Sequence, residues 1–246
     1  MPRTRLNVRL LEVTQSALSL IYAAFKQCYS AGFAADIFEE GGKAVDRQAD
    51  FLKRMMESGH ASPLEHAKFT FAIEGVSRAL THQLVRYRVA SYSQQSQRYV
   101  KQTNFDYIIP PLIEEDETLK GEFIRAMGEI QASYDRLVAG FKEKGIVGEK
   151  ANQDARFVLP QAAESKIVVT MNCRELLHFF EERCCMRAQW EIRGLANKML
   201  GICKKQLPIV FAGAGSKCVR LGYCPERKEF SCGKYPLKED VIRKAK

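Results

Sequence analysis

Between Leu119 and Phe141 seven apolar side chains, Leu119, Phe123, Met127, Ile130, Tyr134, Leu137 and Phe141, recur at steps of four, four, three, four, three and four. Only a helix gathers that spacing onto one face, so the chain contains a long amphipathic helix that Gly145 stops. Its stripe has to be covered, by the protein's own core or by another subunit.

Strands are needed to complete the fold, and three stretches supply them. Leu6, Val8 and Leu10 alternate with polar neighbours, Phe69, Phe71 and Ile73 do the same, and Lys166 to Met171 is rich in β-branched residues. Between the first two, helices are expected from Ser16 to Tyr29 and from Val45 to Ser58, with Gly59 as a stop and a loop over Phe33 to Gly42. After Ile73, Gly75 is expected to turn the chain and Ser77 to cap a helix running toward Tyr87. Asn104 to Leu112 is extended up to Pro110-Pro111, and a short helix from Val147 brings Arg156 close to Pro160, which ends it. Asn172 is placed to cap a helix that holds Arg174, His178 and Arg183, and another helix continues from Gln189 to Pro208. Strands separated by helices give the α/β (α+β) class, a single mixed α/β domain with a central sheet flanked by long helices. Neither a G-x-G-x-x-G run after the first strand nor a Walker loop is present, so the fold is non-Rossmann and any nucleotide must be held by side chains.

Charge and cysteine usage narrow the partners. The formal charge is +9 over 246 residues, but Cys203 to Lys246 alone carries eleven Lys and Arg against four Asp and Glu, so the body is nearly neutral. Residues 213–246 are therefore expected to form a basic, irregular, cysteine-containing tail to a domain spanning 1–212. No stretch reaches the eighteen apolar residues of a membrane span and the first residues lack a leader-like apolar run, which predicts a cytoplasmic protein without a membrane partner. The eight cysteines are then expected to be thiols. Cys28, Cys173, Cys184 and Cys185 suit buried positions, and Cys203, Cys218, Cys224 and Cys232 contain no C-x-x-C pair, so no metal is predicted.

Chemistry concentrates in Leu84 to Val100, LVRYRVASYSQQSQRYV, where Arg86, Arg88 and Arg98 alternate with serines, glutamines and tyrosines. Forked guanidiniums beside hydroxyls and amides suit a phosphorylated, planar ligand; a solvated polar loop is the plainer alternative. Gln83 and Arg86 share a helix face and can reach one ligand. His60 and His66 flank Pro63, and their spacing is not that of a helix-borne metal pair.

In five blocks the chain resembles the flavin-dependent thymidylate synthases. Arg86-Tyr87-Arg88, seven residues and Ser96 follow that family's Arg-His-Arg signature, with Tyr87 where the family most often has His. The other blocks are His60 with Ser62 to His66 and Phe69 to Phe71, Ala155 to Pro160, Asn172 to Phe179, and Arg183 with Ala188 to Ile192. The resemblance implies a homotetramer with active sites shared between subunits, FAD as cofactor, and dUMP, 5,10-methylenetetrahydrofolate and NADPH as substrates. It implies FAD contacts from Ser62, Arg86, Tyr87, Arg88 and Gln94, and from Asn172, Cys173, Arg174 and His178. It implies dUMP contacts from Gln83, Leu84, Val85, Arg86 and Gln95, and from Ser96, Gln97, Arg98, Arg156 and Arg183. His60 is expected close to the flavin ring, and with Arg183 forms the catalytic pair.

Arg98, Arg156 and Ser96 can supply donors to a phosphate dianion, and Arg183, always protonated, can stabilise charge on a uracil without acting as a base. Ser96 lacks a neighbouring base, which favours a phosphate ligand over a nucleophile. An RNA-binding or RNA-modifying protein is the alternative from the Arg/Tyr/Gln stretch and basic tail. It is disfavoured by the neutral body and by the lack of an RNA-binding motif.

Overall fold

The computed structural model describes residues 4–41 and 45–244. Four strands, β1 (Asn7–Val13), β2 (Lys68–Ser77), β3 (Ala90–Gln94) and β4 (Glu164–Asn172), form one sheet in the order β1-β2-β4-β3. The helices before β2 are α1 (Ala17–Gln27), α2 (Ala34–Gly41) and α3 (Val45–Glu57), and α4 (Arg78–Leu84) joins β2 to β3. Between β3 and β4 lie α5 (Pro111–Glu114), α6 (Glu117–Glu143) and α7 (Glu149–Ala155). After β4 come α8 (Cys173–Arg183), α9 (Trp190–Gln206), α10 (Pro208–Phe211), α11 (Lys217–Leu221) and α12 (Lys238–Lys244).

Register follows from bonds at the strand ends. Asn7 pairs with Glu74 through their side chains at 2.7 Å and Thr14 N–H reaches Lys68 O at 3.0 Å, so β1 and β2 are antiparallel. Arg78 N–H donates to Ala163 O and Cys173 N–H to Ala67 O, which makes β2 and β4 antiparallel as well.

Contacts divide the chain into two compact units, and every strand contributes residues to both. The first takes the residues up to Asn7, Ala72–Arg86 and Tyr92–Val168. Its core sets Phe105, Tyr107, Met127 and Ala163 against Phe123 and Ile130 of the long helix. Two polar side chains of α6 fix the segment that follows β3. Tyr134 Oη accepts from Gln102 N–H at 3.1 Å, while buried Gln131 accepts from Phe105 N–H at 2.9 Å and donates to Gln102 O. Burying both ends of that amide with partners avoids the ~1–3 kcal/mol of an unsatisfied polar group. The α6 stripe is only partly used inside this unit, because Leu119 and Leu137 stay exposed.

The second unit takes Val8–Phe71, Tyr87–Ser91 and the chain from Val169 onward. Its core is aromatic: Phe69 stands edge-on to Phe211 at 5.7 Å, and Phe180 of α8 meets the same ring at 6.0 Å.

The sequence expectations need five corrections. The loop expected over Phe33 to Gly42 is helix α2 as far as Gly41, and residue 42 lies outside the described residues. Gly75 does not turn the chain out of β2 but sits inside the strand at φ +68°, where a Cβ would stand 2.1 Å from Arg5 O. The tail contains α11 and α12 rather than wholly irregular chain, and Cys28 is exposed. The polar stretch itself holds β3, an outer strand of the sheet.

Candidate active site

The first unit collects phosphate-binding chemistry. Ser77 caps α4, accepting from Leu80 N–H at 3.0 Å, and that helix carries Gln83, half-buried, and Leu84, fully buried. Val85 and Arg86 follow, both exposed. Beyond β3, Gln95 N–H is held by Lys166 O at 2.8 Å, and Ser96 Oγ accepts from Arg98 N–H at 3.2 Å in a tight turn. Gln97 in that turn is buried, and Asn152 of α7 donates to Arg98 O at 3.0 Å. The Arg98 guanidinium pairs with Glu149, yet its Nε is buried with no hydrogen-bond partner among the described residues. Gln94 is engaged inside the unit, donating to Thr81 Oγ1 at 3.1 Å and Ser165 Oγ at 2.8 Å.

Arg156, which begins a 3-10 turn after α7, holds its Nε–H on Gln153 O at 3.3 Å. It lies close enough to Arg78 to be felt there, because burial and the Arg156 charge together lower the Arg78 guanidinium from its ordinary value. Two like charges kept together, with an orphaned donor on Arg98, are the ordinary setting for an anion. Arg78 escaped the sequence reading; its one signal is its place directly after the Ser77 cap.

The second unit collects aromatic side chains and the residues that the resemblance assigns to FAD. A 3-10 turn, Ser62–His66, follows Gly59 and presents Ser62 at the surface. Glu65 of that turn pairs with Arg174 at the start of α8. Asn172 caps α8, accepting from Glu175 N–H at 2.8 Å, while Cys173 is fully buried behind it. Burial pushes the Cys173 thiol up to about 12. His60 meets Tyr29, whose hydroxyl is 3.1 Å from His60 Nε2, a partner no sequence signal announces. His60, Arg174 and His178 line one cleft of about 1310 Å³, walled by Leu64, Pro208 and residues 213–215.

Tyr87 and Arg183 meet directly. Arg183 Nε–H donates to Tyr87 Oη at 2.7 Å, and the guanidinium carbon stands 5.5 Å from the Tyr87 ring centroid. Phe179 packs edge-on against that ring at 5.0 Å and His178 at 5.7 Å. Burial, partly opposed by Arg183, raises the Tyr87 phenol above its ordinary value, so it stays protonated at neutral pH. Neither Nη of Arg183 has a hydrogen-bond partner among the described residues. Arg88, next to Tyr87 in the sequence, is exposed.

Arg183 also borders a smaller cavity of about 440 Å³ lined by Cys184, Cys185, Cys218, Cys224 and Cys232. All eight cysteines are free, and among the described residues no three His, Cys, Asp or Glu are grouped to hold a metal.

A cleft of this volume, edged by capped helix, guanidinium and imidazole donors, fits a flavin, and the orphaned Arg98 Nε donor with the Arg78 and Arg156 charges fits a nucleotide phosphate. The fold and these donors define a nucleotide-modifying α/β enzyme. The profile of the family described as Thymidylate synthase complementing protein matches residues 9–209. A flavin-dependent thymidylate synthase of Nitratidesulfovibrio vulgaris is 58% identical over 98% of this chain and 100% of its own, and one of Pyrococcus abyssi is 46% identical over 90% of each. The crystal structure of the UMP/dUMP methylase PolB from Streptomyces cacaoi bound with 5-Br dUMP shares the fold, with a TM-score of 0.69 at 24% identity over 85% of this chain and 94% of its own. The chain belongs to the flavin-dependent thymidylate synthase family.

Proposed function

We propose that the protein methylates dUMP reductively to dTMP, taking the carbon from 5,10-methylenetetrahydrofolate and the hydride from FADH2, which NADPH regenerates. The observation that carries this reading is the match along nearly the whole chain to relatives named for that activity. The local chemistry agrees with it. In the first unit Arg98, Arg156 and the Ser96 hydroxyl bind the phosphate, with Gln83, Gln95 and Gln97 supplying amide contacts and Leu84 and Val85 the apolar edge of the dUMP site. Arg86 reaches both ligands.

Ser62, Tyr87, Arg88, Gln94, Asn172, Cys173, Arg174 and His178 hold FAD, and His60 stands by its ring system. Bound there, the reduced flavin supplies the hydride that completes the methyl group. Arg183 places its permanent charge where the uracil becomes electron-rich and needs no proton transfer to do so. Water exclusion strengthens that effect, since the same charge acts more weakly in bulk solvent.

The active assembly is a homotetramer whose sites are shared between subunits; the exposed apolar residues Leu119, Leu137 and Phe157 support this reading, because such groups are usually covered. Residues 1–212 form the catalytic domain and 213–246 a basic tail, and the enzyme works in the cytoplasm, where free thiols persist. Product formation tests the proposal. Radiolabelled dUMP should yield dTMP only when the folate and NADPH are both present. Turnover without the folate, or none with every component and added FAD, contradicts it.

A further inference from the structure

We propose that Tyr87 is a positioning residue for Arg183, turning the guanidinium so that its Nη edge, rather than its Nε, faces the substrate. The inference rests on the reading that Arg183 acts on the uracil, and it gives the Tyr87 hydroxyl a task beyond the contact of its ring with the flavin. Three observations lead to it. The phenol oxygen takes the Nε–H at 2.7 Å, which fixes the plane of an otherwise freely turning group. The ring that carries this oxygen is 7% exposed and clamped by Phe179 and His178, so the acceptor cannot drift. Both Nη groups are left to a ligand among the described residues.

A hydroxyl suits this task in a way an imidazole would not. The phenol accepts through oxygen and keeps its own proton, so the contact holds at every pH where the enzyme is stable. An imidazole accepts only while neutral, and protonation beside a guanidinium would replace attraction by repulsion. The charged neighbours of Tyr87 are Glu175, His178, Glu182 and Arg183, all on or near the same face of α8. Any pH effect is therefore read as a difference between enzyme forms.

Tyr87→Phe keeps the packed ring and removes the acceptor. It should lower kcat about tenfold, as expected when a hydrogen bond to a charged group is lost from a site that stabilises charge. KM for dUMP should stay within about twofold and flavin content should not change. Tyr87→His should restore much of the rate at high pH and add an acid limb near pH ~6.5 that the unsubstituted enzyme lacks.

Unchanged kcat in Tyr87→Phe overturns the proposal. So does loss of flavin in parallel with activity, which would make the Tyr87 hydroxyl a flavin ligand instead of a hold on Arg183. Should Tyr87→Phe fail to fold, the profile of Tyr87→His decides: an acid limb supports the positioning role, and a profile parallel to that of the unsubstituted enzyme overturns it. An unsubstituted enzyme that forms no dTMP overturns the functional reading and the positioning role together, whereas normal dTMP formation with an indifferent Tyr87→Phe removes the positioning role alone.

Discussion

Arg183 closes α8, and its guanidinium is held at Nε with neither Nη partnered among the described residues; on the proposed reading it is the side chain on which turnover depends most. Arg183→Ala should abolish measurable dTMP formation while FAD remains bound, checked by flavin absorbance on the purified variant. Ser96 sits in a tight turn with only the Arg98 amide on its hydroxyl. Ser96→Ala should raise KM for dUMP about tenfold, the loss of one hydrogen bond to a charged group, yet leave kcat measurable at saturation. Complete loss at saturating dUMP with intact flavin would restore a nucleophilic role. Cys173 gives a pH prediction. Its folded thiol is raised from 9.0 to about 12, so the stability it contributes is present below pH ~9 and is lost as pH rises toward 12, at about 1.4 kcal/mol per pH unit. Urea midpoints measured from pH 8 to 11 should fall less steeply for Cys173→Ala, and equal slopes would contradict the assignment.

At the scale of elements, caps and periodicity were legible and local exceptions were not. The α6 stripe, the Ser77 and Asn172 caps and the alternation of β1 and β2 each depend on neighbouring residues, and each element formed as expected. β3 was hidden because Ala90 to Gln94, ASYSQ, carries no apolar alternation; its place comes from pairing with β4, a long-range fact. Helix α2 was hidden by the paired glycines Gly41 and Gly42, the first of which is its last residue. Gly75 was misread because a glycine between strand and helix signals a turn, whereas its role is the close passage of Arg5, with its N–H donated to Glu164 at 2.9 Å. Gly75→Ala should therefore lose at least about 2 kcal/mol from the positive φ and the backbone clash, against about 1 kcal/mol for Asn172→Ala, which removes one cap. Chemical denaturation of the two variants checks the order, and a milder effect at Gly75 would show that the strand can shift away.

For the molecule as a whole, the motif residues could be named from the sequence, but not their surroundings. The Tyr87–Arg183 contact joins positions 96 residues apart, and the nearness of Arg78 to Arg156 is equally remote along the chain, so spacing could announce neither. The sequence expects residues 213–246 to be an irregular basic tail to the domain. Instead residues 213–215 wall the cleft, and Lys217, Arg220 and Glu226 pair with Glu182, Glu181 and Arg187. Each of these pairs is exposed enough to contribute only ~0–1 kcal/mol, so they orient the tail more than they stabilise it. The partly exposed α6 stripe predicts a tetramer by light scattering at micromolar protein; a monomer with full activity would contradict shared sites. The central claim, that this chain is a flavin enzyme acting on dUMP, meets its most direct test in the visible absorbance of the purified protein titrated with FAD. The account predicts a yellow protein binding one FAD per subunit, with the flavin spectrum shifting when dUMP is added. A colourless protein that takes up no FAD would contradict it.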